Sequence, residues 1–165
     1  EEQEIEEILI RQVRPEDLDR CSAIERACYG VEGATRERIE RRIRDYPQKF
    51  LVAQQEGEVV GFVNSGSTSK EDISDEAFKD LADHDPAGAN IVIFSLAVHP
   101  RCRGRGYSEK FMHRCIDHAR GLGTNILLLC NFDHPEYYRR YRFEHQGRSR
   151  SAHGGVRWEE MQLAL

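Results

Sequence analysis

Arg103-Gly104-Arg105-Gly106-Tyr107-Ser108 combines two things that anion chemistry requires, fixed positive charge and a backbone free to turn its N–H groups outward. Glycines at 104 and 106 admit positive φ, which a tight basic turn needs. Before the turn, Ile91 to Val98 is a near-continuous apolar, β-branched run with the composition of a buried strand. Pro100 ends it, because proline has no ladder donor. After the turn the period changes, and Phe111, Met112, Cys115, Ile116 and Ala119 fall on one face of a helix. Strand, glycine turn and helix N-terminus together make a phosphate site: backbone N–H groups point at the ligand and the helix dipole favours negative charge. The spacing excludes two common versions. Glu109 stands three residues after Gly106, so the turn is not G-x-G-x-x-G, and no Gly-Lys-Ser/Thr ending makes it a P-loop.

The elements that position this turn fit within one domain of 165 residues, long enough to bury a core. Charged residues are 32% and apolar residues 39%, a globular balance. A net charge of −5 with no basic field argues against a nucleic-acid partner. No apolar run approaches the ~20 residues of a membrane span. The opening Glu-Glu-Gln-Glu is too polar for a signal peptide, and the missing initiator methionine suggests a trimmed chain. Cys21, Cys28, Cys102, Cys115 and Cys130 are odd in number and form no C-x-x-C pair, which favours reduced thiols and a cytoplasmic setting. The histidines and acids lack ligand spacing, so no metal is expected.

In chain order, Ile8 to Val13 alternates as a first strand. Pro15, Glu16 and Asp17 open a helix whose inward stripe is Leu18, Cys21, Ile24 and Cys28, and Gly30 stops it. Thr35 is the N-cap of a second helix carrying Ile39, Ile43 and Tyr46, ended by Pro47. Phe50 to Gln54 and Val59 to Asn64 form a hairpin around Gln55-Glu56-Gly57-Glu58. Residues 66–90 read as an acidic surface insert, with Ala77, Phe78 and Leu81 as a short helical face. Such an insert is either a solvated loop or a field that steers a cationic substrate. Beyond the central helix, Asn125 to Cys130 is a second buried strand, parallel to the first because a helix links them. Asn131 to Tyr141 reads as a short aromatic and basic helix, and Arg142 to Gln146 and Arg157 to Leu163 as closing strands.

The segment R-x-x-G-x-S from Arg103 to Ser108, preceded by Leu96-Ala97-Val98-His99-Pro100, resembles the R/Q-x-x-G-x-G/A signature and fourth strand of the GNAT acetyltransferase superfamily, with Ser108 in place of Gly or Ala. Asn131, followed seven residues later by Tyr138 and then Arg-Arg-Tyr-Arg-Phe, resembles that family's N-x(6)-Y-x-x-x-G-F segment, with Arg142 where glycine is usual. From Val13 to Met161 the chain looks most like the arylalkylamine (serotonin- and dopamine-acetylating) branch. The resemblance implies an α+β GNAT fold, a mixed and mostly antiparallel sheet splayed at its central parallel pair and flanked by helices. It implies acetyl-CoA as cosubstrate, its pyrophosphate on the N–H groups of Arg103, Gly104, Arg105, Gly106, Tyr107 and Ser108. Its pantetheine would lie along Leu96, Ala97 and Val98, one of whose N–H groups polarises the thioester carbonyl. Asn131 and Tyr138 would complete the coenzyme site, with Tyr138 beside the sulfur. A phenol of pKa ~10 there hands a proton to the departing thiolate.

The amine must also lose a proton, since only its free base attacks. The two histidines that relay this proton in vertebrate arylalkylamine enzymes are matched here by Val92 and Phe94, which do not titrate. Glu32, in a loop resembling the one where insect members carry a basic glutamate, is the expected base, with Glu25, Asp133 and His134 behind it. His99 is expected to point away from the amine, and Cys130 fits a small buried residue as well as a nucleophile. The function expected is acetyl transfer to a small primary amine, an arylalkylamine or polyamine, by direct attack in a ternary complex. The alternatives are a protein or peptide amine acetyltransferase and a catalytically idle acyl-CoA binding module.

Overall fold

The computed structural model describes residues 8–68, 88–131, 135–148 and 158–164. Its strands are β1 (Leu9–Gln12), β2 (Phe50–Gln55), β3 (Glu58–Thr68), β4 (Asn90–Val98), β5 (Asn125–Asn131), β6 (Glu144–Arg148) and β7 (Trp158–Leu163). Its α-helices are α1 (Leu18–Tyr29), α2 (Arg36–Asp45), α3 (Tyr107–Leu122) and α4 (Pro135–Arg139). The strands form one mixed sheet in the order β1-β2-β3-β4-β5-β7-β6. Its parallel pair is β4–β5, the pair joined by the crossover helix α3. Registered pairs there run from Asn90↔Asn125 to Ile93↔Leu128, while β4 continues to Val98 and β5 to Asn131.

The backbone packs as two compact units interleaved in sequence, Glu1–Asn64 with Ser95–Phe111, and Ser65–Phe94 with Met112–Leu165. In the first, Cys21 and Ile24 of α1 and Ile39 and Ile43 of α2 form a core with Phe50, Val52, Phe62 and Ala97. Pro15–Asp17 is a 3-10 turn that leads into α1 rather than its first turn. Asp17 takes a two-pronged ion pair from Arg11 on β1, at 2.8 and 2.9 Å, and the Arg14 N–H at 2.8 Å. Thr35 caps α2 as its sequence position implies, accepting from the Arg38 N–H at 3.3 Å. At the β2–β3 hairpin, Glu56 and Gly57 both take positive φ, the backbone that a two-residue turn requires. A Cβ on Gly61 would come within 2.9 Å of the Ala97 carbonyl oxygen, so glycine lets β3 approach β4 closely.

In the second unit the buried side chains include Ile91, Val92 and Ile93 of β4, Met112, Ile116 and Ala119 of α3, Ile126 and Leu128 of β5, and Met161 and Leu163 of β7. β3 runs four residues further than its apolar pattern suggests: Ser65, Gly66, Ser67 and Thr68 are all buried strand residues. The acidic segment therefore begins later than expected, and its helical face at Ala77, Phe78 and Leu81 lies outside the described residues. Asn131 likewise ends β5 instead of opening a helix, and α4 starts at Pro135.

Arg142, at the position where the family pattern has glycine, adopts φ = 70°. The turn thus keeps a left-handed backbone and an L side chain bears its strain. That strain costs about 1–2 kcal/mol, part of it offset because arginine loses less backbone entropy on folding than glycine. Arg142→Gly is expected to stabilise the fold by roughly 0.5–1 kcal/mol, raising the melting temperature by about 1–4 °C in a thermal unfolding scan.

Candidate active site

After β4 the chain makes a 3-10 turn, Pro100–Cys102, opened by His99. The His99 N–H bonds to the Val60 carbonyl at 2.8 Å, and its Nδ1 accepts the Arg101 N–H at 3.1 Å. His99 is thus a structural cap. Gly104 and Gly106 then take φ = 80° and 81°, and nothing lies within 4 Å of where a Cβ would stand on either. The α3 ladder begins with the Lys110 N–H on the Gly106 carbonyl at 3.1 Å, so the turn delivers the positive end of a 16-residue helix to the surface. Arg103 and Arg105 are exposed at its flank. Arg105 Nη1 donates to Gln55 Oε1 at 3.1 Å, and Arg103 Nη2 reaches Cys28 Sγ at 3.5 Å. Tyr107 is 2% exposed and gives its hydroxyl proton to Gln55. Ser108 is half-buried in the first turn of α3.

A basic, glycine-paired helix start of this kind fits a diphosphate. Gly106→Val places a β-branched residue where φ is positive, at a cost above the about 1–2 kcal/mol of an ordinary L residue. The turn is then expected to relax and misdirect its N–H groups. Affinity for a diphosphate ligand should then fall at least about tenfold in calorimetric titration.

The strand edge beside the turn has its own cover. Because the His99 N–H points to β3, alternation turns the carbonyls of Leu96 and Val98 away from β3. The last turn of α1 meets them there: the Tyr29 hydroxyl donates to the Leu96 carbonyl at 2.6 Å, and the Cys28 thiol to that of Val98 at 3.2 Å.

Ser95, one residue earlier on β4, meets a buried acid. Glu25, 3% exposed on α1, accepts the Ser95 hydroxyl at 2.9 Å and the Ala34 N–H at 3.2 Å, both on Oε1. Its Oε2 is buried and has no hydrogen-bond partner among the described residues. Burial pushes this carboxyl above the usual range, and the Ala34 N–H, the Ser95 hydroxyl and the charge of Arg42 offset the rise only in part. Gly33 roofs it so closely that a Cβ there would stand 3.0 Å from Glu25 Cγ. The expected base, Glu32, closes the 3-10 turn Gly30–Glu32 that links α1 to this roof. The sequence carried a signal for Glu25: it occupies the i+4 position from Cys21 on the buried stripe of α1, an acid where a hydrophobe belongs.

In the second unit, Tyr138 sits on α4, its ring against Tyr137 (centroids 5.0 Å apart) and Phe143 (5.9 Å). Its carbonyl accepts the N–H groups of Tyr141 at 3.0 Å and Phe143 at 3.4 Å, which closes the turn through Arg142. Asn131 ends β5. Val92 and Phe94 lie on β4, buried and half-buried. Asp133 and His134 lie outside the described residues. No group of three or more His, Cys, Asp or Glu is placed to hold a metal among the described residues, and no described helix is long and apolar enough to cross a membrane.

Residues 17–143 match the model of the acetyltransferase (GNAT) family. The chain belongs to that family. Among curated proteins it is similar to the probable hydrolase YhcX of Bacillus subtilis (strain 168), 24% identical over 132 residues, which are 74% of this chain. The chain spans 25% of that relative's length. Among solved structures this GNAT chain is similar to the loading GNATL domain of CurA from Lyngbya majuscula (TM-score 0.84, 13% identity, 96% of this chain and 98% of that one). It is similar also to the GphF GNAT-like decarboxylase in complex with isobutyryl-CoA (TM-score 0.80, 19% identity, 94% and 98%). At these identities the structural likeness establishes the fold.

Proposed function

We propose that this GNAT acetyltransferase transfers the acetyl group of acetyl-CoA to a small primary amine, of the arylalkylamine or polyamine kind, by direct attack in a ternary complex. The observation that supports it most is the turn itself: two glycines at positive φ, flanked by Arg103 and Arg105, at the start of α3. In this reading the N–H groups of residues 103–108 hold the diphosphate. The main chain of Leu96 to Val98 takes the amides of the pantetheine arm, and one N–H there receives the developing oxyanion. Asn131 belongs to the same coenzyme site.

The amine nitrogen attacks the thioester carbon and the C–S bond breaks. Tyr138 gives the departing sulfur its proton and is reprotonated from solvent, while a carboxylate takes the proton lost by nitrogen. We assign that carboxylate to Glu25, whose raised affinity for protons and Oε2, unpartnered among the described residues, suit a base. Glu32 is the second reading, supported by its place on the turn after α1. Cys21, Cys28, Cys102 and Cys115 are free thiols, which supports a cytoplasmic setting.

Calorimetric titration with acetyl-CoA, followed by a thiol-release assay on tryptamine, spermidine and a peptide with a free N-terminus, tests the proposal. Turnover on either small amine is the expected result. Turnover on the peptide alone moves the assignment to protein amines, and binding with no turnover leaves an acyl-CoA binding module. Absence of binding overturns the reading of the turn.

A further inference from the structure

Two hydrogen bonds lead from the helix that carries Tyr138 into the sheet of the second unit. α4 has five residues, a length at which a helix does not hold itself in water, so its placement comes from tertiary contacts. One contact is apolar, the Tyr138 ring against Phe143. Another is polar and starts at the neighbouring residue. Arg139, which also pairs with Glu136, brings Nη2 to 3.4 Å from Nδ1 of His145 on β6. Nε2 of the same ring lies 2.9 Å from Oε2 of Glu159 on β7, a carboxylate whose residue is 2% exposed.

A guanidinium only donates, so Nδ1 must accept and the ring proton sits on Nε2, directed at Glu159. The neutral imidazole is a two-sided bridge: arginine donates to it, and it donates to a buried carboxylate. Its register partner on β7 is Met161, two residues from Glu159 and on the same face, so the ring has an apolar neighbour as well as a polar one.

We propose that His145 is a positioning residue for Tyr138: by linking Glu159 to Arg139 it fixes α4 in the orientation from which the phenol protonates the leaving thiolate. The inference rests on the acetyltransferase reading of Tyr138 given above.

The test measures kcat and the KM for acetyl-CoA for the wild type, His145→Ala, Glu159→Gln and Tyr138→Phe, and for His145→Ala combined with Tyr138→Phe. His145→Ala is expected to lower kcat about tenfold and to leave KM within about twofold. Glu159→Gln, whose side-chain carbonyl still accepts from Nε2–H, should stay within about threefold of wild type. In the Tyr138→Phe background, His145→Ala should cost less than about twofold, because no acid remains to position. An unchanged kcat in His145→Ala, or an equal loss in both backgrounds, overturns the inference while a loss in Tyr138→Phe leaves the function standing. An unchanged kcat in Tyr138→Phe itself overturns the reading on which the inference is built.

Discussion

Tyr138→Phe is expected to lower kcat by about a hundredfold or more, the usual contribution of a positioned general acid, while acetyl-CoA binds within about twofold of wild type. The substitution removes one hydroxyl and little else. Tyr138 packs ring to ring against Tyr137 and Phe143, and phenylalanine keeps both contacts. The chemistry lost is specific. A thiolate leaves as the C–S bond breaks, and a phenol of pKa ~10 is close enough in proton affinity to a thiol of pKa ~8.5 to share its proton in the transition state. Without it the thiolate must leave charged or wait for water. Steady-state turnover and calorimetric affinity on the same preparation decide the matter, and unchanged turnover removes Tyr138 from the mechanism.

What could be read from the residues alone follows from how each signal arises. The turn at 103–108 was legible because glycines at positive φ, a preceding apolar run and a following 3.6-residue period are local features, and the structure shows all three. The parallel pairing of β4 and β5 followed from the helix between them. The buried end of β3 was not legible. Ser65, Ser67 and Thr68 are polar side chains that read as the start of a surface segment, and their burial is decided by the sheet around them. Arg142 shows the limit in another way, since a left-handed turn written in arginine looks like no turn at all until its φ of 70° is seen. The cover on the β4 edge, with the Tyr29 and Cys28 side chains on the carbonyls of Leu96 and Val98, joins residues some seventy positions apart. No local pattern announces such a contact.

Glu25→Gln should make the protein more stable and less active at once, and the two effects should separate with pH. In the folded chain the carboxyl's pKa is raised, chiefly by burial, so the native state holds this proton more tightly than the unfolded chain does. Stability linked to the group is therefore full below the unfolded carboxylate value of ~4.3 and is lost as pH rises through the raised folded value. Glutamine carries no charge to bury at any pH, and its side-chain carbonyl keeps the place of Oε1 against Ser95 and Ala34. The melting temperature of Glu25→Gln should match wild type near pH ~4 and exceed it at pH ~8. Turnover should move the other way, falling about a hundredfold at neutral pH with the loss of the base. A structural clamp between α1 and β4 would give a different pair of results, since glutamine preserves both hydrogen bonds of Oε1 and kcat would then survive. Glu32→Gln, compared beside it, should leave turnover within about threefold if Glu25 is the base. A buried acid kept at the cost of stability, on an otherwise apolar helix face, is expected where function requires it.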